Sequence, residues 1–353
     1  MDKVPPFRPY ASQVLGFVRK RLGWASCVAY AAAVALPGPG LWARHGHSLV
    51  LGEAVHLEVG GTQVLLFAVL FAAGLRTSPQ EITRMLRRPG VIAAGLALHA
   101  VAPLLIIPLI SLALRCSADS DGGSGMVAAM MLTLAMPVAA GATVWTTEGR
   151  GDEPTMLGLV LVSALVSPLT MPLTISTLAP LLTASYADPV TAAAAHTGIG
   201  FALTGIVVPC ALGMGVRRLL AVRAEHVVLR LTAPVALLAA LLLTYVNASG
   251  ALGQLLVRPR PLLLLVAAVT AVSVCALSFG GGSWCARALR LPAGTGRSLT
   301  LACGMSNSSA SAVLITVAMP DRPQILLPVL VFGVLQKLAA NRITALHAEA
   351  ATA

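Results

Sequence analysis

Apolar residues run along this chain in long blocks, without the alternation of half-buried strands or the one-sided stripe of surface helices. A block of about twenty mainly apolar residues is long enough to cross a bilayer as a helix. Ten blocks can be read: 22–41, 62–75, 90–114, 126–147, 155–182, 192–216, 231–248, 262–286, 295–319 and 324–346. Pro103, Pro137, Pro168 and Pro209 fall inside them. They predict kinks whose freed carbonyls need partners on neighbouring helices or in water. The pattern predicts an all-α polytopic membrane protein, with a cytoplasmic segment 1–21 ahead of the first span and a tail 347–353 after the last.

Two blocks are interrupted. The fourth contains MPVAAGATVW (136–145) and the ninth contains GMSNSSASAV (304–313), both rich in small and hydroxyl residues. Ten spans divide into repeats over 22–182 and 192–346, each with an odd number of crossings. The second repeat therefore enters the membrane from the opposite side, as in many secondary transporters. Matching weak segments in two inverted halves point to a binding site lined by unwound backbone. A small-residue helix-packing face would have the same composition.

The positions of Lys and Arg orient the chain. With the N-terminus inside, eighteen fall in cytoplasmic segments and five outside, with Lys337 left within the tenth span. This is a positive-inside distribution, and it places both termini in the cytoplasm of a cell with the protein in its plasma (inner) membrane. The basic head followed by an Ala-rich run is read as the first span and not as a cleaved leader, because the ten-span count requires that run.

Composition agrees: 57% of residues are hydrophobic and 10% charged, with a mean hydropathy of +0.85. A soluble domain carries about a quarter charged residues. The net charge of +11 is spread in short clusters between apolar runs, which gives no reason to expect nucleic acid as a partner. The six cysteines lie in or beside apolar runs, with no CxxC pair, and read as small buried hydrophobes. No phosphate-binding GxxxxGK[ST], HExxH or Cys/His ligand spacing is present, so neither ATP nor a bound metal cofactor is expected and no enzymatic role is read.

Several segments, taken in order, resemble the bile acid:sodium symporter family, bacterial branch. FAAGLRTSPQEITRMLRRPG (71–90) is similar to the family's segment after the second span. Residues 135–173, AMPVAAGATVW through SPLTMPL, are similar to its fourth and fifth spans. GMSNSSASAVLI (304–315) resembles its ninth-span Gly-Met-Gln-Asn-Ser motif. The resemblance implies that helices 4 and 9 break and cross near the membrane centre, with sodium bound behind the crossing and an organic anion in an adjacent cavity. It implies a panel of helices 1, 2, 6 and 7 that moves against a core.

The resemblance carries the crossing and its residual cation site onto Gly141, Ala142, Thr143, Gly304, Ser306 and Asn307. The sodium ligands carry over poorly. Ala142 and Thr143 stand for a Ser-Asn pair, Met156 and Val160 for a Ser and a Thr, and His99 for a Gln. Ala302 stands for the central Glu, and Ser306 for a Gln. Sodium as a coupling ion is therefore in question, with Thr143, Ser306 and Asn307 as the remaining oxygen donors. His99, Thr143, Asn307, Gln336 and Lys337 are expected to line the substrate cavity, Lys337 because an ionisable group inside a span is a functional candidate. Gly141 and Gly304 are expected where the broken helices come into close backbone contact. The expected function is secondary active transport of a small organic anion, with lipid as the other partner. Two alternatives stand beside it. One is an arsenite-type metalloid carrier, although Val138 occupies the position of that family's cysteine. The other is a receptor-like protein that does not transport.

Overall fold

The computed structural model describes residues 22–44, 46–51, 55–76, 83, 89–115, 123–192, 201–220, 222–257 and 261–349. The segment 1–21, residues 350–353 of the tail and residues 193–200 of the sixth predicted span lie outside the described residues.

The first apolar block forms two helices, α1 (Leu22–Ala35) and α2 (Pro37–Arg44). Pro37 lacks an N–H to continue α1 and stands at the start of a new helix, where that donor is not needed. An antiparallel pair follows, β1 (Gly46–Leu51) and β2 (Val55–Gly60), in register from Gly46 opposite Gly60 to Leu51 opposite Val55. This hairpin lies between the first two predicted spans, and the spans themselves are helical. Next come α3 (Gly61–Arg76), α4 (Pro89–Leu114), α5 (Ser124–Ala135), α6 (Ala142–Glu148), α7 (Glu153–Leu178) and α8 (Ala184–Ala192). A π-helical turn over Phe201–Val207 leads into α9 (Val208–Leu219). Then follow α10 (Val222–Val257), α11 (Pro261–Ala288), α12 (Ala293–Gly304), α13 (Ser308–Ala318) and α14 (Leu326–Glu349).

Among the described residues, five helical stretches are long and apolar enough to cross a bilayer: Pro89–Leu114, Glu153–Leu181, Val227–Ser249, Pro261–Ala288 and Leu326–Thr344. Their exposed side chains are large and apolar, as in Leu165, Leu169 and Leu173 of α7 and Leu262, Leu265, Val269 and Val272 of α11. Rows of leucine three or four residues apart facing outward suit hydrocarbon and not water. The chain is an integral membrane protein.

The helices pack in two groups. α10 runs against α1, α2 and α3, and α3 packs on α9. Gly74 of α3 lies against the backbone of Cys210, and Gly213 of α9 against the backbone of Phe71, so these two helices touch main chain to main chain. Small residues permit such contact where no hydrophobic effect drives helices together. In the second group α4 packs on α5 and α7, α11 on α12 and α14, and α13 on α14. The buried Met126–Ala135 stretch of α5 and the Val313–Ile315 stretch of α13 sit inside this group.

Candidate functional site

α5 stops at Ala135 because Pro137 cannot donate an N–H and disfavours helical backbone at the residue before it. Met136 is accordingly extended, with φ −69° and ψ 149°. α12 stops at Gly304, and Met305 takes φ −117° and ψ 87°. The two unwound stretches lie side by side. Ser306 pairs with Val138 in an antiparallel bridge. Ala139 donates its N–H to the Met305 carbonyl at 2.8 Å, and Asn307 donates to the Pro137 carbonyl at 3.0 Å. The interruptions at 136–141 and 305–307 therefore meet and satisfy each other's backbone. Unwound chain inside a membrane persists only with such partners.

Side chains complete the junction. Ser163 of α7 donates to the Val160 carbonyl and accepts the Val138 N–H, each at 3.1 Å. His99 of α4 donates from Nε2 to the Met136 carbonyl at 2.8 Å. Thr133 gives its proton to the Ala129 carbonyl at 2.7 Å and meets Ser311 Oγ at 3.0 Å, tying α5 to α13. Asn307 caps α13 by accepting the Ala310 N–H on Oδ1 at 3.1 Å.

A cavity of about 280 Å³ opens beside the junction, between the two helix groups. Leu66 and Leu70 of α3, Met156, Leu157 and Val160 of α7, and Leu237 and Leu241 of α10 give it apolar walls. Thr143, Ser306, Asn307, Ser308, Ser309, Gln336 and Lys337 give it polar groups beside the junction, and Thr147 of α6 and Thr244 of α10 add two more hydroxyls. Arg76 and Glu153, both exposed, stand at its mouth. Gln336 donates from Nε2 to Ser308 Oγ at 3.0 Å. Gln336 Oε1 and Ser306 Oγ are buried polar atoms with no hydrogen-bond partner among the described residues.

The structure brings together Thr143, Ser306, Asn307, Gln336 and Lys337 on this cavity, with Gly141 at its edge. It does not place His99 there. His99 lines a second cavity of about 40 Å³ on the other side of the junction, with Pro103, Pro137, Ser163, Thr170 and Thr174. Its ring is held by the Met136 carbonyl, and Lys337 lines the larger cavity without it. Gly141 also departs from expectation. A β-carbon there would meet nothing within 4 Å, so Gly141 makes no close contact. Gly304 is tightly packed, but against the ring of Phe279 of α11 and not against the other broken helix. Ala142 is fully buried and offers no side-chain oxygen. Thr143 spends its hydroxyl proton on the Ala140 carbonyl at 2.8 Å.

Ser163 and Phe279 were not legible as site residues. Each is an ordinary helix residue in sequence, and its role comes from a partner in a different span. The sodium bile acid symporter family matches the chain over residues 63–258, a stretch that includes the first unwound segment and ends before the second. No curated protein matches the chain.

Proposed function

The chain belongs to the sodium bile acid symporter family, and from that premise we propose that it is a secondary transporter of a small organic anion, working by alternating access. In this reading it has ten spans in two inverted five-helix repeats. The broken fourth span is α5 with α6, the broken ninth is α12 with α13, and both termini are cytoplasmic.

The observation that carries the reading is the cavity beside the junction, in which the polar groups of Thr143, Ser306, Asn307, Gln336 and Lys337 stand among apolar walls. A Lys ammonium inside a span is costly unless it serves a ligand or a water-filled path. The start of α13, where Ser308 and Ser309 line the cavity, adds N–H groups and the positive end of a helix dipole. Gln336 Oε1 and Ser306 Oγ are two further buried groups suited to hydrogen-bond a cargo. The apolar walls of α3, α7 and α10 suit a hydrocarbon body. Because the cavity lies between the two helix groups, a movement of one group against the other exposes it alternately to each side.

A metalloid cargo is less favoured. It calls for a soft thiolate ligand. Cys210 lines the cavity, but its thiol donates to the Leu70 carbonyl at 3.5 Å.

The test is uptake of a panel of labelled organic anions into proteoliposomes, with sodium and proton gradients imposed separately. Lys337→Gln should weaken uptake of the best anion about tenfold or more, the usual worth of a charge-assisted contact, while leaving insertion and folding intact. Correctly inserted protein that moves none of the panel would overturn the transporter reading and favour a receptor-like role.

A further inference from the structure

α6 is seven residues long. A helix that short does not hold itself in place, and its last carbonyls have no partner within it. Both of its ends are tied to other parts of the chain. At the near end Ala139, just ahead of α6, donates its N–H to the Met305 carbonyl at 2.8 Å. At the far end the chain turns through Gly149 and through Arg150, at φ 51°, toward the start of α7. There the Trp145 and Thr146 carbonyls accept the N–H groups of Gly149 and Gly151 at 2.9 and 2.8 Å. The Gly149 carbonyl is met from another helix, by Arg297 of α12. Nη1 of Arg297 donates to it at 2.6 Å, while Nε of the same guanidinium donates to the Ala293 carbonyl at 3.1 Å.

Two neutral contacts accompany this one. Ser298 donates from Oγ to the Asp152 carbonyl at 2.9 Å, and the Asp152 N–H donates to the Gly294 carbonyl at 3.1 Å. Gly151 lets the turn come this close, since a β-carbon there would stand 2.9 Å from Ser298 Oγ. Arg297 brings the charge, and charge-assisted hydrogen bonds are the stronger ones. A cation at the last turn of a helix also complements its negative end. The planar fork spans a carbonyl of its own helix and one beyond the end of α6 with two separate nitrogens, a geometry that the single nitrogen of a lysine does not reproduce.

We propose that Arg297 is a positioning residue of the cargo site. It pins the far end of α6 to the start of α12. With its near end held by the junction, α6 then sets Thr143, Val144 and Thr147 in fixed places on the cavity wall. Arg297 does not itself line that cavity and acts through α6. The proposal rests on the transporter reading for what the cavity holds, although its test needs no cargo. The distribution of charge along the chain counts Arg297 only as one more basic residue between spans, a place that Lys fills equally well. The two carbonyls on its guanidinium give it a more specific task.

The experiment uses the purified full-length protein in detergent, with the six native cysteines replaced and one reporter added, either Val144→Cys of α6 or Leu241→Cys of α10. Both positions line the cavity. The reagent is a neutral maleimide. Arg297→Gln should raise the labelling rate of Val144→Cys about tenfold, because losing a hydrogen bond to a charged group raises the share of molecules with α6 detached by about that factor. Labelling of Leu241→Cys should stay as in the parent. Arg297→Lys keeps the charge and loses the fork, so its rate at Val144→Cys should fall between those of Arg297→Gln and the parent. An unchanged rate at Val144→Cys, an equal rise at Leu241→Cys, or a Lys variant that matches the parent overturns the proposal. Should the cysteine-free protein not fold, hydrogen exchange of the protein with its own cysteines carries the same test. Arg297→Gln must then speed exchange in α6 and spare α10, and exchange unchanged in α6 or raised alike in both is equally fatal. A failed uptake screen with these results intact would overturn transport alone, whereas a failed pin would leave anion uptake standing.

Discussion

Asn307 donates its backbone N–H to the Pro137 carbonyl at 3.0 Å, joining two interruptions that lie far apart in the chain. The same residue starts α13 by accepting the Ala310 N–H on its side chain.

Asn307→Ala should therefore keep the backbone junction and lose the cap. The expected cost is about 1 kcal/mol of stability, read as a lower thermal midpoint. Asn307→Asp retains a capping oxygen but places a negative charge on the cavity lining. It should preserve the midpoint and depress anion uptake. Equal behaviour of the two variants in both assays would contradict this division of roles.

Gly304 and Gly141 should respond oppositely to an added side chain. A β-carbon on Gly304 overlaps the Phe279 ring, so Gly304→Ala should destabilise by about 1–3 kcal/mol through overpacking. Gly304→Ala combined with Phe279→Ala should recover part of that loss. Gly141→Ala enters open space and should leave the thermal midpoint within about 1 °C of wild type. A larger loss at Gly141 than at Gly304 would mean that the junction is packed differently.

The contact between α3 and α9 gives a third test. Gly74→Ala and Gly213→Ala each set a methyl group against opposing backbone, at Cys210 and Phe71 respectively. Backbone cannot swing aside as a side chain can, so either variant should force the helices apart. Each should lower the midpoint by several degrees and reduce the monodisperse fraction on size exclusion. Gly215, beside which a β-carbon meets nothing within 4 Å, is the internal control and should tolerate Ala.

Orientation can be tested with single cysteines in a background without the six native ones. Asp188→Cys and Ala288→Cys are both exposed positions at helix ends. The excess of Lys and Arg in alternate segments predicts that a membrane-impermeant thiol reagent added to intact cells labels Asp188→Cys and spares Ala288→Cys. The reverse pattern would invert the proposed topology.

Hydropathy determined that this is a membrane protein, and the runs of small and hydroxyl residues at 136–145 and 304–313 marked the places where helix gives way to unwound chain. The first of these is legible because the bilayer acts on the chain as a solvent: apolar length is a one-dimensional quantity. Pro137 and the small residues of 304–311 likewise announce a break through their own backbone preferences. What meets what was left to the tertiary structure. A helix that is apolar all round does not say which face turns inward, so nothing in the sequence sent His99 to the Met136 carbonyl instead of to Lys337. Nor did it name Phe279 as the neighbour of Gly304, or Ser163 as the acceptor for the Val138 amide. These pairings depend on the rotation and depth of separate helices. Close packing and the need to satisfy every freed backbone group set both, and only the folded chain resolves them.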